Sequence, residues 1–194
     1  WWESLEPLIC FPTSIINDSK SPVDFAFASC SKITSITIPE EITSIGEQAF
    51  CSCTNLTNVT IGNNVTTIGE MAFGDCVSLK SVIIPDSVIV IGEMAFLSCE
   101  SLESVTIGNG LNTINYATFL QCSNLEEVTI GSNVTTIGEM AFAMCESLTN
   151  VTIPDSVTTI DNSAFLQCTN LESVTIGKNV STIGEMAFAM CESL

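Results

Sequence analysis

The cysteines are the residues in this chain whose type and spacing most clearly invite a chemical interpretation. Eight of the ten recur at intervals of 23 residues: Cys30, Cys53, Cys76, Cys99, Cys122, Cys145, Cys168 and Cys191. A regular column of thiols could bind a metal or carry redox chemistry. Identical side chains on stacked turns point in parallel, however, whereas a disulfide needs converging Cβ atoms about 3.8 Å apart. Each cysteine also has apolar neighbours, so we predict buried structural thiols that behave as small hydrophobic side chains.

Two further cysteines, Cys10 and Cys51, stand outside this column. They could form one disulfide that fastens the N-terminal segment to the first full turns. Cys51 and Cys53 make a C-x-C pair without a second pair, which is a weak zinc signal. We therefore predict no metal site.

The glutamates also repeat, with Glu47, Glu70, Glu93, Glu139 and Glu185 at one position and Glu100, Glu146 and Glu192 at another. Stacked carboxylates could bind calcium or supply the acid and base of a glycosidase. The chain lacks Asp-rich, Gly-containing loops of the calcium-binding kind, and equivalent glutamates have no difference in environment to separate their pKa values. We expect a solvated acidic face, no cofactor and no enzymatic activity.

The overall charge excludes several classes of function. There are 22 Asp and Glu residues against four lysines, with no histidine and no arginine, giving a net charge of −18. Without histidine there is no imidazole base, and without a basic stripe there is no surface for nucleic acid or anionic lipid. The sequence also has no apolar run long enough to predict a membrane span.

The fold follows from the same 23-residue period. Each unit reads C-x-x-L-x-x-V-x-I-(G or P)-x-x-V-x-x-I-G-x-x-A-F-x-x, as in residues 53–75. The V-x-I alternation predicts a short strand with one buried face, and the Gly or Pro after it ends the strand. The remainder, such as residues 68–73, predicts a helical turn or an irregular arc. Since one unit cannot bury its own apolar residues, the units must stack as a solenoid with a parallel strand ladder.

This pattern resembles the BspA-like leucine-rich-repeat family of the 23-residue class, in which Leu-x-x-Ile-x-Leu-Pro is followed by Ile-Gly-x-x-Ala-Phe and a cysteine. The resemblance covers about residues 22–194, in seven to eight turns without a recognisable C-terminal cap, and leaves residues 1–21 as an irregular segment or cap. The departures at residues 115–118 and 161–162 are expected to affect local turns only.

The resemblance implies a right-handed curved solenoid with the parallel sheet on its concave side. It also implies an extracellular or cell-surface protein that acts in adhesion, because family members are surface-exposed or secreted. No catalytic residues are known for the family, so none is carried over to this chain.

The strand alternation predicts which side chains leave the concave face. They are Ser35, Thr37, Asn58, Thr60, Ser104, Thr106, Glu127, Thr129, Asn150, Thr152, Ser173 and Thr175. We expect an adaptable polar surface that binds a protein or glycan ligand. A flat array of hydroxyls also resembles ice-binding β-solenoids, although Ile83 and Glu127 interrupt it.

Two further expectations concern the surface and the ends of the solenoid. The N-x-S/T sequons are candidates for glycosylation, and they start at Asn17, Asn55, Asn58, Asn64, Asn133, Asn150 and Asn179. A strand ladder that stops without a polar cap favours end-to-end addition of further copies. The alternative function is therefore a structural subunit of an extracellular, glycosylated fibre.

Overall fold

A computed structural model describes residues 24–194, which form a solenoid of stacked 23-residue turns. Each turn contributes one longer and one two-residue strand. The longer strands are β1 (Ser35–Thr37), β3 (Asn58–Thr60), β5 (Ser81–Ile84), β7 (Ser104–Ile107), β9 (Glu127–Thr129), β11 (Asn150–Thr152) and β13 (Ser173–Thr175). The short strands are β2 (Ser44–Ile45), β4 (Thr67–Ile68), β6 (Val90–Ile91), β8 (Thr113–Ile114), β10 (Thr136–Ile137), β12 (Thr159–Ile160) and β14 (Thr182–Ile183).

The longer strands form the concave sheet, in the order β1-β3-β5-β7-β9 followed by the pair β11-β13. All pairings are parallel and each residue faces the residue 23 positions further along, as Val82 faces Val105 and Val105 faces Val128. The β-branched residue at the centre of each strand points into the core, and its two neighbours point outward. The predicted parallel ladder is confirmed.

The short strands form a second sheet in two parts, β2-β4-β6 and β8-β10-β12-β14. The break falls beside Asn115, one of the departures from the repeat. Its side-chain amide donates to the carbonyl of Ile91 at 2.6 Å. In five other turns the same carbonyl position accepts a backbone N–H, for example from Gly92 to Ile68 at 2.7 Å. This departure therefore changes the sheet itself and not just a turn.

The arcs between the second sheet and the next concave strand contain no helix in residues 24–194. Two left-handed residues recur four positions apart in each arc, such as Gln48 (φ 51°) and Ser52 (φ 59°), and they prevent helical winding. The backbone instead alternates: Gln48 N–H donates to Glu70 in the following turn at 2.8 Å, whereas Cys51 N–H closes a local turn on Gln48 at 3.0 Å. The irregular arc is thus the correct one of the two predicted alternatives.

A column of stacked phenylalanines runs along the core. Successive rings from Phe27 to Phe188 lie with centroids 5.1 to 5.4 Å apart and are nearly parallel. The six inner rings are fully buried with the leucines, valines and isoleucines of the repeat. Burying a side chain of this size contributes roughly 2–3 kcal/mol, so the column holds consecutive turns together and fixes both sheets.

Candidate functional site

The outward face of the concave sheet contains all of the predicted binding residues. Each of them lies on a longer strand and points away from the core, and all are exposed except Ser104, which is half-buried. Ser81 and Ile83 of β5, which were not among the predicted binding residues, complete the face. The period-2 alternation therefore predicted which side chains point outward, and their role in binding stays a prediction.

Most hydroxyl groups of this face make no hydrogen bond within the described part of the chain. The threonines Thr37, Thr60, Thr106, Thr129, Thr152 and Thr175 make no side-chain hydrogen bond to any residue in the described part of the chain. A hydroxyl carries one donor and two acceptor sites, so each of these groups is available to solvent or to a ligand. The face therefore offers a regular array of unoccupied donors and acceptors.

Threonines just before a strand behave differently: Thr57 Oγ1, before β3, donates to the carbonyl of Thr34 at 2.9 Å, and the same bond recurs before the short strands. Thr66 Oγ1 donates to the carbonyl of Thr43 at 3.0 Å, and Thr135 Oγ1 donates to Asn112 at 3.0 Å. Thr158 Oγ1 continues the series with a 3.3 Å bond to Thr135. These hydroxyls connect one turn to the turn before it, and each bond uses the donor that a ligand would otherwise engage.

In the C-terminal part of the concave face, more of the polar side chains are hydrogen-bonded to each other than in the middle. Ser173 Oγ is hydrogen-bonded to Asn150 Oδ1. Asn150 Nδ2 in turn donates to Thr149 Oγ1 at 3.0 Å. Two of the predicted binding residues thus bond to each other, whereas Asn58, at the same repeat position, makes no side-chain bond to any residue from 24 to 194.

Charge is unevenly distributed over the site. Lys80 Nζ lies 2.8 Å from Glu103 Oε1 just before the concave strands. The other salt bridge among the described residues joins Lys178 and Asp155 in the loops between the two sheets, where the hydrogen bonds and charge of Lys178 lower the pKa of Asp155. Glu126 and Glu127 have no lysine partner in this part of the structure, so the middle of the face is acidic.

The thiol column lies in the core, as predicted. From Cys53 to Cys191, each Sγ of the column donates to the carbonyl of a phenylalanine in a preceding turn, at 3.2 Å from Cys76 to Phe50 and 3.3 Å from Cys99 to Phe73. Burial raises the pKa of the Cys168 thiol to about 12 and raises that of Cys99 well above its ordinary value. These groups therefore stay protonated and do not act as nucleophiles near neutral pH.

The remaining cysteine and metal predictions concern Cys10 and Cys51. Cys10 lies outside the described residues, so the disulfide to Cys51 stays a prediction. Cys51 is buried, and its sulfur lies 3.6 Å from Ser52 Oγ. Between residues 24 and 194 no group of three or more Cys, Asp or Glu side chains is arranged to hold a metal ion.

The aligned sequon asparagines have a structural role that the sequence did not reveal. Asn64, Asn133 and Asn179 each donate Nδ2 to a carbonyl of the preceding turn at 2.7 to 2.8 Å, and Asn55 does the same to Ser31. Where serine replaces this asparagine, as at Ser87, the hydroxyl is buried without a partner. Their glycosylation stays a prediction, and Asn17 lies outside the described residues.

No helix in residues 24–194 is long and apolar enough to cross a membrane. None of the curated proteins compared with the chain matches it. Among solved structures, a leucine-rich repeat protein from Eubacterium ventriosum is 30% identical, with a TM-score of 0.76 over 81% of this chain and 42% of that protein. The chain thus spans less than half the length of that relative. The T. pallidum leucine-rich repeat protein is 28% identical, with a TM-score of 0.63 over 90% of this chain and 71% of its own.

A family model also matches the repeats themselves. The model of the BspA type leucine rich repeat region matches residues 20–146 and 112–194, with six copies. Together these ranges cover all of the described solenoid, in agreement with the repeat pattern and with the two structural relatives. The chain belongs to the BspA-type leucine-rich-repeat family.

Proposed function

We propose that this protein is a non-enzymatic adhesion or binding protein that acts at the cell surface or outside the cell. It engages a protein or glycan ligand through the concave sheet. The observation that carries the proposal is the row of exposed threonines on the concave strands, whose hydroxyls have no hydrogen-bonding partner in the described part of the chain, whereas the threonines of the inner short strands are half-buried. Solenoids present extended surfaces of this kind to their partners, and membership of the family supports the binding role.

A matched pair of triple variants tests this proposal. Thr60→Lys/Thr106→Lys/Thr129→Lys places three long side chains on the concave face. Thr67→Lys/Thr136→Lys/Thr159→Lys places the same charge on the second sheet, at partly exposed positions. Binding of each protein is measured on a panel of purified extracellular-matrix proteins and on a glycan array. We expect the concave variant alone to lose binding; equal binding by all three proteins would contradict the proposal.

A second candidate is the fibre subunit assembled by end-to-end stacking. Ile183 in the last turn is 51% exposed, whereas the equivalent Ile137 and Ile160 are fully buried. A further turn stacked on the strand of Ile183 would bury apolar surface of the kind that holds the inner turns together.

Electron microscopy and sedimentation velocity test the fibre candidate. Ile183→Lys should abolish fibres, while Thr182→Lys, which alters an adjacent residue that is exposed in this turn, should retain them. Monodisperse wild-type monomers at high concentration would exclude self-assembly of this chain.

A further inference from the structure

The middle of the concave face has an exposed isoleucine at a position that is threonine in all six of the other turns. Ile83 on β5 is 67% exposed. Across the ladder it faces Thr106, which in turn faces Thr129. Threonine at this position supports the fold in six other turns, so packing does not require the isoleucine. A single exposed aliphatic side chain is common on protein surfaces. This one is of interest because negatively charged side chains lie near it.

One carboxylate, that of Glu127, lies on the same face, and Glu126 stands just before it at the start of β9. Ser81 of β5 faces Ser104 of β7, which faces Glu127 of β9, so Glu127 stands two strands away from the strand of Ile83. Two strand spacings of about 4.8 Å and a two-residue offset of about 6.6 Å along the strand put the backbones of Ile83 and Glu127 about 12 Å apart. The backbone N–H groups of Glu126 and Glu127 both donate to the carbonyl of Glu103, at 2.9 and 3.1 Å, and this fixes their position beside the strand.

The charge of these carboxylates is not compensated locally. Lys80, the lysine of this region, is already paired with Glu103 at 2.8 Å. The second salt bridge among residues 24–194 uses Lys178, four turns further along the chain. Three consecutive turns therefore bring the negative charge of Glu126 and Glu127 near the apolar surface of Ile83. The net charge of the whole protein, −18, has the same sign.

We propose that Ile83, Glu126 and Glu127 form a docking patch for a cationic protein segment. The fitting segment presents one apolar side chain and at least one lysine or arginine about 12 Å away from it. The apolar side chain covers Ile83, and the basic group pairs with the carboxylates. Charge complementarity steers such a partner to the patch and disfavours acidic ones. This inference rests on the proposed binding function of the concave sheet and assigns its partner chemistry.

Three variants separate the contributions. Ile83→Thr restores the residue of the other six turns and so retains the fold. Glu126→Gln/Glu127→Gln removes the charge with little change in shape. Glu70→Gln/Glu93→Gln removes the same charge from exposed glutamates at the arcs and serves as the matched control. Thermal unfolding should show that all three proteins remain folded.

The probe is a random dodecapeptide library displayed on phage and selected on the wild-type protein. Affinities of the enriched peptides are then measured by fluorescence anisotropy at about 0.05 M and about 0.5 M NaCl, where the screening length falls more than threefold. We expect enriched peptides to combine an apolar residue with lysine or arginine. Ile83→Thr should weaken binding about tenfold at both salt concentrations, the double Glu→Gln variant mainly at low salt, and the control less than about twofold.

The outcomes distinguish this inference from the function on which it rests. Failure to enrich any peptide, enrichment of peptides without basic residues, or unchanged affinity for Ile83→Thr and for Glu126→Gln/Glu127→Gln would overturn the docking patch. If the concave triple lysine variant still abolished binding in that last case, the concave sheet would stand as the binding surface. If only the second-sheet triple variant abolished binding, both proposals would be wrong.

Discussion

Threonines on the concave strands and threonines just before the short strands differ in what their hydroxyls do. Thr129 on the concave sheet and Thr135 just before β10 lie in the same turn, six positions apart. Thr135 Oγ1 bonds to the turn before it at 3.0 Å, and Thr129 Oγ1 bonds to no described residue. Threonine thus contributes to stability on one side of the turn and to surface chemistry on the other. Composition alone does not separate the two roles.

The largest expected effect is a loss of folding stability at alkaline pH, which would unfold both sheets together. Its cause is the ionisation of the thiols in the core that the two sheets share. Burial raises the folded-state pKa of Cys168 from 9.0 to about 12, and raises the pKa values of Cys99, Cys122 and Cys145 as well. The unfolded chain therefore releases protons above pH 9 that the folded chain retains. Stability present below pH 9 is lost as the pH rises towards 12, by at most about 1.4 kcal/mol per pH unit for each thiol.

Urea unfolding between pH 7.5 and pH 11 measures this loss. Cys99→Ala should lower stability at pH 7.5 but should show a shallower decline above pH 9, because one titrating thiol is gone. A decline of the same slope in wild type and variant would show that the thiols are not responsible.

A smaller but still large effect is expected where the chain passes from the concave sheet to the second sheet. A Cβ built on Gly131, between β9 and β10, would lie 2.3 Å from the backbone carbonyl oxygen of Gly108 in the turn before. Gly131→Ala should therefore cost about 1–3 kcal/mol or more and separate these turns. Gly74→Ala is the control, since its Cβ would meet first the flexible end of Met71 at 3.3 Å. Equal thermal stability of the two variants would contradict this reason.

The direct test of the comparison is a pair of valine variants. Thr135→Val removes a hydroxyl that bonds to Asn112, and it should cost about 0.5–1 kcal/mol. Thr129→Val removes a hydroxyl without a partner and should change stability by less than about 0.5 kcal/mol. Chemical denaturation measures both values. An equal cost at the two sites would remove the distinction between these two threonine positions.

The smallest effect should come from joining the two parts of the second sheet. Asn115→Gly removes the side-chain amide that occupies the carbonyl of Ile91. The backbone N–H of residue 115 can then take its place, as glycine does in four of the seven complete turns and aspartate in a fifth. We expect slower hydrogen exchange at residue 115 with a stability change below about 1 kcal/mol. Unchanged exchange would show that the side chain does not cause the break.

The concave sheet could be predicted from the sequence because its strands have a period of two with one buried face, as in Val59-Thr60-Ile61. The second sheet could not, since a two-residue strand such as Thr67–Ile68 is too short to show alternation. The left-handed arc positions were also hidden, because methionine, glutamine and serine occupy them instead of glycine. The outward side chains of the concave strands could be predicted from this period, whereas the hydrogen bond of Thr135 depends on where a carbonyl of another turn lies.

The in-register ladder also has an evolutionary consequence. Each turn is bonded to its two neighbours through equivalent positions 23 residues apart, so copying one turn adds a rung whose contacts are already complementary. Residues 137–148 and 183–194 are identical, two periods apart, as such copying would leave them. The surface can therefore lengthen by whole rungs of about 4.8 Å, and its specificity can change by single outward substitutions, such as Ile83, without any redesign of the interior.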